Sequence, residues 1–417
     1  MLAHPLFARA RVLRELLAYL VESKLAGRKV NESNLAVRIF DKESLSFHPY
    51  KHANVRVQFR NLRLKLEAYY LAEPAVKVKF RAVPYEVVFD IADPAMAEAR
   101  RMLNEARWLF ESRFPVDLHH AIGLVGQIVE RHPRWAPAMV ALNQLHISIA
   151  VHGGGPPLAN LRLAETYADR ALEYEPDDGL ANAAKAATEA FLHWRWNRAE
   201  ELFDRAMSLH PGVRHESWYL AYLTGTHRAS RAAQLMEDCL CASDRPWPSL
   251  QTNLGITLLV ARRTDEAARE LLRAGKLNPE DWCGLAWLGV HYWQKGEYLK
   301  AAYTQARALA QARRSPPDRY FDMSNDAFFG SRKATRLSSE HRGGVSEVGT
   351  LVAGVMLRQW DRAIGAVERM YENRYPLVHF FATVPLMDPL WEHPRFRAAY
   401  EQTGLALPPH VKRALPA

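Results

Sequence analysis

The chain has 417 residues, 48% hydrophobic and 24% charged, a composition that excludes an intrinsically disordered protein and is too long for one ordinary core. No apolar run reaches the ~18 residues of a membrane span; the best, Trp135 to Val151, is broken by Asn143, Gln144 and His146, and Arg9, Arg11, Arg14 and Glu15 interrupt any export signal. Of the net charge of +9, residues 1–90 hold +7 (16 Lys and Arg against 9 Asp and Glu), so the basic charge sits at the front and points to a polyanionic partner as readily as to a solvated basic surface.

In chain order, Arg9 to Ala26 reads as a helix, with Val12, Leu16, Leu17, Leu20 and Val21 at helical spacing and Gly27 as its stop. Asn31 is a candidate cap for a short second helix carrying Leu35, Ala36, Ile39 and Phe40. A polar connection, Asp41 to Ala53, follows. Asn54 to Tyr70, NVRVQFRNLRLKLEAYY, is predicted as an amphipathic helix with Val55, Phe59, Leu62, Leu66 and Tyr69 on the buried stripe. Arg56, Arg60 and Arg63 line up beside that stripe, and Gln58, Asn61 and Lys65 flank its other side. Guanidinium forks and amides in such a row are the groups that clamp phosphates and read base edges in a major groove, although ordinary solvated arginines would look the same. Val76 to Arg81 then alternates, Val76, Val78 and Phe80 against Lys77, Lys79 and Arg81. After a turn at Ala82 to Pro84, Tyr85, Val87 and Phe89 resume the alternation, so a basic β-hairpin is predicted.

Helix, helix, basic helix and basic hairpin is the order of a winged helix-turn-helix. The segments LLAYLVESKLAG, NLAVRIF, VRVQFRNLRLKLEAYY, VKVKF and YEVVF resemble the OmpR-type winged-helix domain fused to tetratricopeptide arrays in bacterial regulators. The resemblance covers about residues 4–90. It implies contacts to double-stranded DNA from Asn54, Arg56, Gln58, Arg60, Asn61, Arg63 and Lys65 of the third helix and from Lys77, Lys79 and Arg81 of the wing. Relatives carry an acidic residue before the third helix and a Pro-Lys-Gly wing tip, where this chain has His52-Ala53-Asn54 and Arg81-Ala82-Val83.

From about Ala95 the periodicity is helical throughout. Ala121, Ala164, Ala199, Ala232, Ala267, Ala301 and Ala363 mark matching small-residue slots, spaced by 43, 35, 33, 35, 34 and 62 residues. Seven residues beyond the first six come Ile128, Ala171, Ala206, Cys239, Ala274 and Ala308, and twelve beyond four of them comes proline: Pro133, Pro176, Pro211 and Pro279. A period near 34 with small residues and proline in register is the tetratricopeptide signature, a helical hairpin that buries its apolar face only by stacking on its neighbours. In this reading Gly255 and Gly289 of the first helices face Ala267 and Ala301 of the second. FLHWRWNRAEELFDRAMSLHPG and VPLMDPLWEHPRFRAAYEQTGL also resemble repeats and C-terminal caps of these regulators. His152 to Pro157 lengthens one repeat as a glycine–proline loop.

The expected fold is mainly α: residues 1–92 a small α+β winged helix-turn-helix domain, 95–312 an α-solenoid of tetratricopeptide-type (TPR-type) hairpins, 313–344 an irregular insertion and 345–417 a final repeat with a cap. No catalytic, metal or cofactor constellation stands out. His119-His120, His146 and His152 match no ligand spacing, Cys239-x-Cys241 lacks a second thiol pair, and Gly153 to Gly155 lacks the lysine of a phosphate loop. The tryptophans, among them Trp194, Trp196, Trp282, Trp287 and Trp293, sit at repeat positions and read as core. The three cysteines, Cys239, Cys241 and Cys283, read as reduced cytosolic thiols. The function expected is a cytoplasmic, non-enzymatic DNA-binding transcriptional regulator, without cofactor and without a membrane partner, whose array grips a protein or peptide in its concave groove. The alternative is a protein–protein scaffold whose winged domain no longer binds DNA.

Overall fold

The computed structural model describes the chain apart from residues 3, 9, 27, 29, 31–34, 36–53, 73–77, 84–85, 92–93, 243–246, 313–343 and 415–417. At some positions in helices and strands, including 54–57, 60, 78–83 and 86–91, only the backbone is described. The chain divides after Arg101 into two compact units.

In the first unit, helices α1 (Pro5–Ala8), α2 (Arg11–Leu25) and α3 (Asn54–Ala72) precede strands β1 (Val78–Val83) and β2 (Glu86–Ile91). The strands pair antiparallel, with Phe80 opposite Phe89 and Val83 opposite Glu86. Of the expected stripe of α3, Phe59, Leu62, Leu66 and Tyr69 join Phe7, Leu16, Leu17, Leu20 and Leu35 in one small core, and the side chain of Val55 lies outside the description. On α2 the stripe is rotated from the expected one. Leu13 and Ser23 are buried and Val12 and Val21 only half-buried, because a helix face wide enough to cover α3 is centred on Leu16, Leu17 and Leu20. The helix ends at Leu25, and its expected stop, Gly27, lies outside the described residues. So do the expected cap Asn31, the expected short helix apart from Leu35, the connection 41–53, and Val76 and Lys77.

The second unit is helical throughout its described residues. The division falls within α4 (Pro94–Ser112), and from there the unit runs through α5 (Pro115–Arg131) and continues as six helix pairs. These are α6 (Ala136–His152) with α7 (Pro157–Tyr174), α8 (Gly179–Phe191) with α9 (Trp196–Leu209), α10 (Ser217–Gly225) with α11 (Ala229–Ala242), α12 (Pro248–Val260) with α13 (Thr264–Leu277), α14 (Trp282–Gln294) with α15 (Tyr298–Ala312), and α16 (Gly344–Met356) with α17 (Trp360–Glu372). The first five pairs stack in chain order into a TPR-like helical array.

The slot residues explain the stacking. Ala121, Ala164, Ala199, Ala232, Ala267, Ala301 and Ala363 are all fully buried. Four of the second helices, α5, α7, α9 and α13, stop two residues before Pro133, Pro176, Pro211 and Pro279. The residue before a proline is pushed out of the α region. The residues just before those prolines, His132, Glu175, His210 and Asn278, accordingly lie at φ between −132° and −139° with ψ between 66° and 94°. The glycine contacts differ from expectation by one helical turn. A Cβ on Gly255 would fall 2.6 Å from Leu271 Cγ, and one on Gly289 would meet the side chain of Gln305, four residues beyond the alanines predicted to face them. Second-helix side chains lean back toward the helix N-terminus, so a spot on the surface is covered by a residue further along the chain. Only in the α16–α17 pair does the glycine, Gly354, face the slot alanine itself, Ala363.

The array closes on itself. Helix α6 packs against α16. The segment after α17, with α18 (Val378–Phe381), α19 (Pro394–Glu401) and α20 (Pro409–Ala414), runs across the first helices of the pairs. Tyr375 Oη donates to Val151 O at 2.8 Å, His379 stacks on Phe191 and meets Trp196 edge-on, Phe381 stacks on Trp287, and Trp196 Nε1 donates to Thr403 O at 2.6 Å. The face expected to hold a partner segment is filled by the chain's own residues, since an apolar inner face that large is costly to leave wet. The predicted insertion at 313–344 lies, apart from Gly344, outside the described residues.

Candidate ligand cavity and basic helix

On the first unit, α3 brings together part of the predicted basic row. Arg63 is exposed, and Gln58, Asn61 and Lys65 are half-buried beside the stripe that packs inward. Asn54, Arg56 and Arg60 lie on the same helix, and Lys79 and Arg81 on β1, with their side chains outside the description. Lys77 lies wholly outside the described residues.

The second unit contains a feature that sequence reasoning missed. Between the closing segment and the first helices lies a cavity of about 180 Å³. Its wall carries the rings of Trp218, Trp282, Trp287, Phe110, Tyr375 and Phe381 together with polar groups, among them Glu111, Ser148, Ser217 and Thr257. The tryptophans expected as core therefore serve two purposes, with Trp282 against Phe114 and His152, and Trp287 against Phe380 and Phe381.

One cation enters this wall, Arg113. It sits in the turn between α4 and α5 with φ of 59°, a left-handed conformation that a non-glycine residue adopts only under constraint. Its Nη2 donates to Ser249 O at 2.9 Å and to Asn253 Oδ1 at 3.0 Å. Burial opposes its charge, but Cys283, Asp281 and Glu111 nearby more than offset this and hold its proton more tightly than usual. The two carboxylates are committed elsewhere. Glu111 accepts from Ser249 Oγ, and Asp281 accepts from Thr252 Oγ1 and caps α14 through Gly284 N. Arg113 makes no ion pair among the described residues. Its uncharged neighbours stay uncharged: burial, then the charge of Arg113, push His152 down to about 3, and burial pushes the Cys283 thiol up to about 11. In addition, the indole N–H of Trp218 is buried without an acceptor.

Other titratable clusters are internally satisfied. Glu165, Glu189 and His193 lie close enough to hold a metal ion, but Lys185 Nζ already sits among these carboxylates, 3.0 Å from Glu165, 2.8 Å from Asp169 and 3.4 Å from Glu189. His119 Nε2 pairs with Gly154 O, and His146 pairs with Asn160 and stacks on Tyr167. Cys239 is half-buried in its slot, and all three cysteines are free thiols. No described helix is long and apolar enough to cross a membrane.

This geometry defines a class: a TPR-like helical array with an internal, cation-bearing cavity. No family model and no curated protein matches the sequence. Solved structures similar to it are of low identity. The type IV pilus biogenesis factor PilW is 16% identical, with 56% of this chain and 91% of that chain covered and a TM-score of 0.34. The APC/C hetero-tetramer Cut9-Hcn1 is 11% identical, with 94% and 65% covered and a TM-score of 0.48. The human IFIT1 dimer with PPP-AAAA is 14% identical, with 94% and 90% covered and a TM-score of 0.44.

Proposed function

We propose that the protein is a partner-binding scaffold, a cytoplasmic helical-repeat array that takes a segment of another protein and performs no catalytic step. One observation carries this reading. On α15, Ala301, Thr304, Gln305 and Ala308 are buried, whereas Tyr298, Leu299 and Tyr303 are 59%, 89% and 67% exposed. A cluster of exposed tyrosine and leucine on one helix face marks an interaction surface, because rigid aromatic side chains lose little freedom on contact. Lys300 lies over the Tyr292 ring and Arg307 over the Tyr303 ring, so an apolar segment flanked by acidic residues is the partner that fits.

The test is photo-cross-linking from position 299 of the full chain, followed by binding of the purified cross-linked partner. Leu299→Asp with Tyr303→Asp is expected to weaken that binding tenfold or more, the effect of removing interface anchors, roughly, with an unchanged melting temperature. Equal affinity of the double variant would remove α15 as the docking face.

A second reading adds duplex DNA as a partner of the first unit. It is favoured by α3, which buries Phe59, Leu62, Leu66 and Tyr69 and leaves Arg63 exposed in a basic row that a basic hairpin follows. In this reading the OmpR-like resemblance is functional and the protein is a bacterial transcriptional regulator. Arg56, Arg60, Arg63 and Lys65 with Lys77, Lys79 and Arg81 clamp phosphates, and Asn54, Gln58 and Asn61 read bases. Filter binding of mixed genomic DNA at low and moderate salt separates the two readings. Each phosphate contact removed, as in Arg63→Ala, flattens the salt dependence by about 0.9 of a unit of slope. No retention of DNA at either salt leaves the scaffold alone.

A further inference from the structure

We propose that the cavity of the array is a binding site for a small aromatic carboxylate, its carboxylate on Arg113 and its ring among Trp218, Trp282 and Trp287. This goes beyond the scaffold reading and does not depend on it.

Two observations converge on such a ligand. The first is a missing counter-charge. A guanidinium withdrawn from water is ordinarily paired with a carboxylate, because an uncompensated charge is costly there. Arg113 is half-buried, donates from Nη2 to a backbone carbonyl and an amide oxygen, has the Cys283 thiol within hydrogen-bonding reach, and pairs with no carboxylate among the described residues. A carboxylate with two oxygens matches the planar fork that remains. The second is size and lining. A cavity of ~150 Å³ accepts one benzene ring, so 180 Å³ with indole and phenyl rings on part of its wall and polar groups on the rest takes a single ring with a short acidic arm. His152 and Cys283, both uncharged at neutral pH, add no second positive charge, and the Glu111 carboxylate on the same wall disfavours a second anionic group.

The experiment is a thermal-shift and calorimetric titration of the full chain with phenylacetate, alongside benzyl alcohol (ring without charge) and inorganic phosphate (charge without ring). Phenylacetate is expected to saturate with a dissociation constant of about 0.1–1 mM, the range that ~10 heavy atoms reach. Benzyl alcohol and phosphate are expected to bind at least tenfold more weakly. Arg113→Met is expected to abolish the preference for phenylacetate over benzyl alcohol. If that variant does not fold, Ala221→Leu, which fills the cavity from the opposite wall, is expected to weaken phenylacetate tenfold while the chain stays folded. Benzyl alcohol binding as tightly as phenylacetate would overturn the role of Arg113. Phosphate binding as tightly would reduce the site to a simple anion site, and no saturation by any of the three probes would overturn the proposal outright.

Discussion

His379 is the point at which the closing segment meets the array, and it makes the stability of the second unit depend on pH. The residue is fully buried, its ring is stacked on Phe191 and edge-on to Trp196, and neither ring nitrogen has a partner. Burial, and after it the neighbouring His227, push its pKa down from 6.5 to about 3. The folded chain therefore keeps His379 neutral between those values, while the unfolded chain protonates it below pH 6.5 or so. The unfolded state binds the extra proton, so stability rises with pH across that window and falls as the solution is acidified. At about pH 5 the loss is ~1.5 pH units at ~1.4 kcal/mol each, on the order of 2 kcal/mol, growing toward ~5 kcal/mol near pH 3. His152 shifts in the same direction and cancels in a comparison that changes only position 379. The assay is urea unfolding of the wild-type chain and of His379→Phe at about pH 7.5 and about pH 5, with the difference in pH dependence as the readout. Phenylalanine keeps a ring against Phe191 and Trp196 and cannot titrate. The wild type is expected to lose ~2 kcal/mol more than the variant on acidification. Parallel losses in the two proteins would mean that His379 finds a proton acceptor or water in solution, and the account of the buried contact would fail.

Two further predictions test the array itself. Gly255→Ala places a Cβ 2.6 Å from Leu271 Cγ and 3.2 Å from Leu271 N, so it is expected to cost about 1–3 kcal/mol despite the better helix propensity of alanine, whereas Gly275→Ala, with nothing within 4 Å, is expected to gain ~0.5–1 kcal/mol; thermal melts of the pair read both signs, and equal shifts would refute the close approach at Gly255. Asp178 caps α8 by accepting from Ala181 N at 2.7 Å, so Asp178→Ala is expected to cost ~0.5–2 kcal/mol, and Asp178→Ser to recover most of it; no loss in urea unfolding of the alanine variant would show that the cap is replaced by water.

The array was legible in the sequence because its constraints are local and periodic. Ala199, Ala232, Ala267 and Ala301 cannot be larger without pushing neighbouring helices apart, and Pro176, Pro211 and Pro279 cannot lie inside a helix, so the register is written directly in residue types. The stripe of α3 was legible for the same reason. The partner of Gly255 was not, because the direction in which a helical side chain leans shifts the contact by a turn. The cavity was not legible either. Arg113, Trp218, Trp282 and Tyr375 belong to four separate elements, share no period, and come together only when the segment after α17 folds back across the first helices. Sequence periodicity reports which face of a helix is buried, and it carries no signal for what that face is buried against.

The closing segment does leave a trace in the sequence, at the turns within the helix pairs. Five residues before each of five slot alanines the backbone is left-handed: Trp194, His227, Arg262, Gly296 and Arg358, with φ between 55° and 74°. Glycine is the inexpensive choice at such a position, and a residue with a Cβ costs about 1 kcal/mol more there. Only Gly296 takes it. Three of the four exceptions are spent on the closing segment. Trp194 lies under the Arg374 guanidinium and against Tyr371, the His227 imidazole contacts Ala406 O and Tyr400 Oη, and Arg262 forks onto Asp388 while reaching His410. The repeat period thus carries the latch points at the same spacing as the slots, and the chain accepts local backbone strain at each in exchange for a contact far along the sequence. This makes the closed array, with its cavity, a property of the repeat turns as much as of the segment that fills them.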